Sequence, residues 1–396
     1  MRLSKRLDGI AESVTLKLNA AVQSMKAQGI DVVNLTAGEP DFNVPDAAKK
    51  AAIEAVQANK SKYTAVAGIP ELRQAIAEKT NRQQPEVAAS SHGLWKPEHV
   101  VVTNGGKQSL FNIFMAMLDE RDEVLIPSPY WLSYPEMVRI AGAKPRFIET
   151  TISQDFKMTP DQLRAALKAS GGRARILIMN SPSNPTGAVY SRAELKALGE
   201  VLKTTPEARD LWVVSDEIYD RIVFTDEPFV SFLSAVPEWA HQTVTVNGMS
   251  KSAAMTGWRI GWTVAPKELT QALITLQGQS TSGINAPAQW ASVAGLKIPE
   301  SEFAGQVQSF RTRRDLCLDI LKKAGKIEVF APGGAFYLMV GVGEDSVSFA
   351  ERLLEKAKVA VVPGTPFGAP KYIRLSYATD ERSLKDGCER IVKFLS

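Results

Sequence analysis

A single lysine stands among small residues in the stretch TVNGMSKSAAMTGWRIGW, residues 245–262. Lys251 is followed eight positions later by Arg259. A primary amine can attack a carbonyl or act as a base if its environment keeps it neutral part of the time. Two cations held close together repel, so the pairing predicts an anion between them.

Other chemistry-bearing residues follow short apolar runs. NGGKQS comes after VVVT, YW after VLIPSP, NPTG after ILIMNSPS, DEIY after LWVVS, and Lys251 after VTVNGMS. Gly105 and Gly106 would expose backbone N–H groups at a helix start, an anion site, although the same stretch also reads as a plain strand-to-helix turn. No P-loop is present, because Gln108 follows Lys107, and no G-x-G-x-x-G opens a strand–helix unit. Asn184 would project an amide from a sheet edge. Asp216 follows an apolar run, so its carboxylate is expected to be partly buried and to need a cationic partner. Taken alone it also reads as a helix cap. Tyr219, three residues on, shares a helical face with it, and Trp131 offers a ring that is either packing or a stacking surface.

Together these residues suit an aromatic cofactor that carries both a phosphate and an aldehyde. Lys251 would take up the aldehyde. Arg259 and the Gly105, Gly106 and Lys107 stretch would hold the phosphate, and Asp216 would pair with a protonated ring nitrogen. Trp131 would stack on the ring, while Asn184 and Tyr219 would bond its hydroxyl. The expected cofactor is pyridoxal 5′-phosphate.

The elements that must position these groups alternate along the chain. VPDAAKKAAIEAVQAN and IPELRQAIAEKTN read as amphipathic helices with proline near the start. HVVVTNGG, DEVLIPSP, KPRFIET, ARILIMNSP and LWVVSDE read as strands, separated by helical segments such as KQSLFNIFMAML and SRAELKALGEVLKT. Such alternation predicts a mostly parallel, helix-covered sheet, in which ligands bind beyond the carboxyl ends of the strands. After about residue 285 a long charged helix and scattered strands suggest a smaller α+β unit. The expected division is an N-terminal arm over 1–44 that contributes to the small domain, a large ligand-binding domain over 45–284, and a small domain over 285–396.

Composition excludes several classes. The net charge is +4 over 396 residues, with no basic run interleaved with aromatics, which gives nucleic-acid binding no support. Two cysteines, Cys317 and Cys388, without a C-x-x-C pair fit a reducing compartment. Three histidines without ligand spacing give no metal site. The N-terminus lacks the apolar core of a secretory signal, and no long apolar run occurs. A cytoplasmic enzyme acting on small molecules is expected.

The chain resembles the class I aminotransferases of fold type I, and among them the shorter, thermophile-like group of bacterial aspartate aminotransferases. The matching motifs include LTAGEPDF (35–42), KYTAVAGIPELR (62–73), TNGGKQSLFN (103–112), NSPSNPTGAVY (180–190), VSDEIYD (214–220), SKSAAMTGWRIGW (250–262), PGGAFY (332–337) and IRLSYA (373–378). The resemblance implies that Arg374 clamps a substrate α-carboxylate and that Gly38 contacts substrate through its backbone. It further implies that Phe336 lines the pocket, that Tyr63 reaches the phosphate of a neighbouring subunit, and hence that the protein is a homodimer with shared sites. A serine often stands three residues before the lysine in this family. Here the position is Gly248, with Ser250 as a substitute.

The activity implied is transfer of an α-amino group between an L-amino acid and a 2-oxo acid such as 2-oxoglutarate, by a ping-pong route. Aspartate or glutamate would require a second cation for the distal carboxylate, and Lys107 is the candidate. Aromatic amino acids or prephenate remain alternatives, as does a C–S lyase on the same fold. A regulator with a fused DNA-binding domain is not expected, since the stretch before LTAGEPDF is short.

Overall fold

The computed structural model describes residues 4–10, 12, 14–325 and 327–395. Its centre is a seven-stranded sheet. Across the sheet the strands run Val100–Thr103, Gly261–Val264, Thr243–Gly248, Trp212–Asp216, Ala174–Asn180, Glu123–Ser128 and Lys144–Glu149. Gly261–Val264 is antiparallel to both its neighbours and runs opposite to the other six strands. The inner strands are buried on both faces, hence their near-continuous Val, Ile and Leu runs. Helices cover both faces and form two separate apolar cores.

The segments between strands are helical where expected. Pro160–Ser170 begins at Thr159 and Arg192–Thr204 at Ser191, and both starts are full capping boxes, with Gln162 and Glu194 bonding back. Gly171 closes the first of these helices in the left-handed conformation.

A second sheet is small and antiparallel, in the order Val362–Pro363, Tyr372–Ser376, Tyr337–Gly341. On its central strand Ile373 and Leu375 enter an apolar core with Phe310, Phe349 and Leu353. Strand alternation therefore turns Arg374 to the opposite face. The N-terminal segment joins this unit: Val33–Asn34 pairs in parallel with Val359–Ala360, and Leu35 lies in the same core.

The division expected at 284/285 falls one helix too early. Helix Ala286–Leu296 packs closely on Asp46–Gln57, and its Ala288, Ala291 and Leu296 belong to a core of the large sheet. A small, apolar helix of this kind is bound to whichever surface buries it, and periodicity alone does not say which. We place the division in the following segment, 297–303.

The two units meet at close backbone approaches. Phe224 N donates to Gly333 O (2.7 Å), Ala335 N to Ile222 O (2.9 Å) and Gly334 N to Gly187 O (3.0 Å). Gly187 of the NPTG turn has φ +70°, and a Cβ there would lie 2.4 Å from Pro332 Cβ. Only glycine allows this contact.

Candidate active site

The carboxyl ends of the sheet and the Arg374 face of the small sheet enclose a cavity of about 670 Å³. Of the residues singled out above, Gly38, Gly106, Lys107, Trp131, Asn184, Asp216, Tyr219, Ser250, Lys251, Arg259 and Arg374 line it. Gly105 lies just behind its wall, and Tyr63 stands outside.

The antiparallel strand explains why Lys251 and Arg259 share one end of the sheet. Thr243–Gly248 leaves at its carboxyl end, the turn Met249–Ser252 carries Lys251, and the chain re-enters as Gly261–Val264 beside it. Arg259 adopts a left-handed φ of +58° just before re-entry. Its guanidinium donates to Thr256 O (2.7 Å) and Asn104 O (3.1 Å). It lies against Gly105, where a Cβ would stand 2.5 Å from Arg259 Nη2. Beside it begins helix Gly106–Met117, whose first N–H groups have no partner within the helix. Such a cradle of amides and one guanidinium has the chemistry to receive an anion.

Gly248 has an extended backbone, so its φ does not demand glycine. Its surroundings do, because a Cβ would meet Ile260 O at 2.8 Å and Gly261 Cα at 3.0 Å. The family's serine has no room there, whereas Ser250 does face the cavity.

Lys251 Nζ donates to Gly38 O. Burial depresses its pKa to about 8, Glu39 opposes that shift, and Arg374 and Arg259 add to it. Lys107 is lowered by burial and then by Arg259, and its Nζ lies 5.0 Å from the centroid of the Trp131 ring.

Asp216 is buried, as expected, but its partner is not a cation. Its Oδ2 accepts from Tyr134 OH (2.6 Å) and its Oδ1 from Ile218 N (3.3 Å). Burial pushes its carboxyl up to about 6 against these bonds and the pull of Lys251. The sheet interior supplies hydrogen-bond donors at this depth and, among the described residues, no arginine or lysine within ion-pair distance.

Asn184 Oδ1 accepts from Arg374 Nη1 (2.9 Å), and Asn180 Oδ1 fixes the Asn184 N–H (2.9 Å). Arg374 also donates to Thr36 O (3.3 Å) and stacks 4.3 Å from the Tyr337 ring centroid. Burial lowers its guanidinium from the ordinary value. Its Nε is buried and has no partner, and it makes no ion pair among the described residues.

Phe336 has no surface on the cavity but lies behind its wall, its ring centroid 5.8 Å from Lys251 Nζ. It is fully buried in the small-domain core, stacked on Phe310 at 5.3 Å. The next residue, Tyr337, takes the wall position, and its OH meets Tyr219 OH at 2.9 Å. A one-residue shift at the start of a strand exchanges the two faces. Tyr134, Tyr337, Asn180, Glu39 and Thr256 were not singled out from the sequence. Tyr134 had the clearest signal, since it lies three residues beyond Trp131, one turn away at the start of the helix Ser133–Ile140. Thr256 Oγ1 donates to Glu39 Oε2 across the cavity mouth (2.6 Å).

Comparison with known proteins shows the family. Residues 30–391 match the family Aminotransferase class I and II. The aspartate/prephenate aminotransferase of Thermus thermophilus is 44% identical over 99% of this chain and 98% of its own. The aspartate aminotransferase of Geobacillus stearothermophilus is 41% identical over 100% and 99%. The structure of Thermus thermophilus aspartate aminotransferase with maleate superposes with a TM-score of 0.91 at 42% identity, over 99% of this chain and 100% of that one. The chain belongs to the class I and II aminotransferases and is an enzyme of that family. Among the described residues no helix is long and apolar enough to cross a membrane, and no group of three or more His, Cys, Asp or Glu could hold a metal.

Proposed function

We propose that the chain is a pyridoxal 5′-phosphate-dependent aminotransferase for aspartate or glutamate and a 2-oxo acid. The observation that carries this reading is a set of unmet partners around one cavity. Asp216 is a buried carboxylate and Arg374 a buried guanidinium, neither in an ion pair among the described residues, and Arg259 with the Gly106 helix start forms an open anion cradle. A ligand with a protonated ring nitrogen and a phosphate, joined by a substrate carboxylate, satisfies all three. When bound, pyridoxal 5′-phosphate supplies an aldehyde that condenses with a primary amine and a cationic ring that draws electrons from the carbon bearing that amine.

The protein's own residues then have distinct tasks. Asp216 keeps the ring nitrogen protonated. Tyr219 and Asn184 bond the ring hydroxyl, and Trp131 covers a ring face. Arg259 with the Gly105, Gly106 and Lys107 stretch holds the phosphate. Arg374 grips the α-carboxylate with two parallel N–H groups, a geometry lysine cannot offer. Gly38 lines the substrate through its backbone. Burial keeps the Lys251 amine neutral part of the time at neutral pH. With the cofactor bound, this amine would be the group that takes the proton from the substrate α-carbon and returns one. The first amino acid leaves as an oxo acid, and a second oxo acid reverses the path.

Lys107 is the proposed cation for a distal carboxylate. The structure of a relative with maleate, a four-carbon dicarboxylate, supports a dicarboxylate substrate. Prephenate is the second reading, because relatives from Nitrosomonas europaea and Thermus thermophilus are named aspartate/prephenate aminotransferases. A homodimer is supported by Tyr63, which is 98% exposed, and by Ile53 and Val56 nearby on helix Asp46–Gln57, at 58% and 59%.

The test is to reconstitute the protein with pyridoxal 5′-phosphate, add L-aspartate without an oxo acid, and follow the visible band and oxaloacetate. Loss of the band with one oxaloacetate per site supports the reading. An unchanged band moves the choice to another amino donor. Release of ammonia and pyruvate instead points to a lyase. No band after reconstitution overturns the reading.

A further inference from the structure

Asp220 and Arg221 follow Tyr219 directly, and they reach opposite ends of the turn that carries Lys251. Asp220 Oδ2 accepts from Lys79 Nζ (2.5 Å), Gln83 Nε2 (2.8 Å) and Asn247 Nδ2 (3.0 Å). Asn247 in turn accepts the Gly248 N–H on its Oδ1 (2.7 Å). Gly248 is the residue immediately before the turn Met249–Ser252. At the other end, Arg221 Nη1 donates to Ser252 O (3.0 Å). Arg221 is itself held, by two bonds to Glu300 (2.7 and 2.9 Å) and by the Phe303 ring, 3.8 Å from its guanidinium carbon.

A four-residue turn cannot hold its own shape. Ala253 N donates to Met249 O (3.2 Å) and Ser252 Oγ to Gly248 O (3.1 Å), and Met249 N is tied to Ile260 O (3.0 Å), but one turn is far shorter than a helix that stands alone. A base at the end of four methylenes must nonetheless stand within hydrogen-bond reach of the proton it moves. An outside clamp resolves the conflict. None of Lys79, Asp220, Arg221 and Asn247 lines the cavity, so none touches a ligand.

We propose that Asp220, acting through Asn247, and Arg221 are positioning residues that clamp the two ends of the Lys251 turn. Lys79 keeps the Asp220 carboxylate charged, so the Asn247 amide is held by a charge-assisted bond. The proposal rests on the reading of Lys251 as the reactive amine.

The test uses the reconstituted enzyme and four variants: Asn247→Asp, Asp220→Asn, the double exchange of both, and Arg221→Gln. Borohydride reduction fixes the cofactor to the amine it has condensed with, and peptide mass spectrometry counts the Lys251 so trapped. Turnover is then expressed per trapped Lys251, which removes losses due to misfolding. Asn247→Asp sets two carboxylates against each other and is expected to lower kcat per trapped site by about tenfold to a hundredfold, since a small misplacement of reacting groups costs that much. KM for the amino donor stays within about twofold, because substrate contacts are untouched. Asp220→Asn alone exchanges the charge-assisted bond for a neutral one and loses less. The double exchange restores an amide–carboxylate bond and an acceptor for Gly248 N–H, and regains most of the loss. A kcat per site in Asn247→Asp equal to the parent's, or a double exchange no better than Asn247→Asp, overturns the clamp. Should Asn247→Asp not fold, Arg221→Gln decides. A severalfold loss per site at constant KM supports the proposal, and parent-like turnover overturns it. Absence of trapping at Lys251 in the parent instead overturns the underlying reading.

Discussion

Asp216 and Asp220 lie four residues apart on one segment, both buried, and their surroundings are opposite. Asp216 faces the cavity, with Tyr134 OH and one backbone N–H as its partners. Asp220 faces the protein interior and gathers an ammonium and two amides. Burial raises both carboxyls. In Asp216 it prevails, to about 6, whereas in Asp220 Lys79 and the Gln83 bond hold the group below its ordinary value. A carboxylate left short of a cation is poised to receive one from a ligand. A carboxylate already supplied with one serves the architecture.

The sharpest way to break this contrast is to neutralise each group in turn. Asp216→Asn is expected to lower kcat on the order of 10²–10³-fold, the usual cost of losing one preorganised electrostatic partner. The melting temperature of the ligand-free protein should hold or rise, because an uncompensated buried charge is gone. A large drop in melting temperature with activity retained would reverse the assignment. Asp220→Ala should do the opposite to stability and cost about 3–5 kcal/mol in urea unfolding, since the Lys79 ammonium is left buried and unpaired. Parent-like unfolding would mean that Lys79 and Asp220 do not depend on each other.

The next effect is one of pH. Asp216 and the adjacent Glu217, whose carboxyl is pushed by burial up to about 7, both have folded-state values above their unfolded ones. Between those values the folded protein binds more protons, so these groups favour folding at low pH. Their contribution is lost as pH rises from about 4 to about 7. Asp220 works in reverse and loses its contribution as pH falls through its lowered value. In the ligand-free protein, Glu217→Gln should flatten the fall in stability toward neutral pH by up to about 3 kcal/mol. Melting curves across that range check it, and an unaltered slope in the variant counts against a buried, raised Glu217. The smallest effect sharpens the comparison from outside the segment. Lys107→Ala should raise KM for aspartate by about tenfold and leave alanine nearly unchanged, the weight of one charged contact. Equal effects on both donors would remove Lys107 from substrate selection.

Much of the site could be read along the chain because each group follows a strand. Lys251, Asp216, Asn184 and the glycine turn at 105–106 all stand where an apolar run ends, and parallel strands deliver such ends to one edge. Phe336 and Tyr337 show the limit: both are aromatic, adjacent and near a strand start, and only the packing against Phe310 decides which one turns inward. The helix Ala286–Leu296 shows it again, since its apolar surface could have served either core.

The amino-acid order by itself determined the alternating strands and helices, the polar groups at their ends and the kind of ligand they suit, because those follow from local periodicity and side-chain chemistry. The tertiary structure alone decided that Asp216 meets Tyr134 rather than a cation, that Arg374 crosses from the small sheet to Asn184, and that Asp220 reaches the Lys251 turn through Asn247. These pairings join residues 27 to 190 positions apart. Their existence depends on where the sheets and helices pack, which no short stretch of sequence encodes.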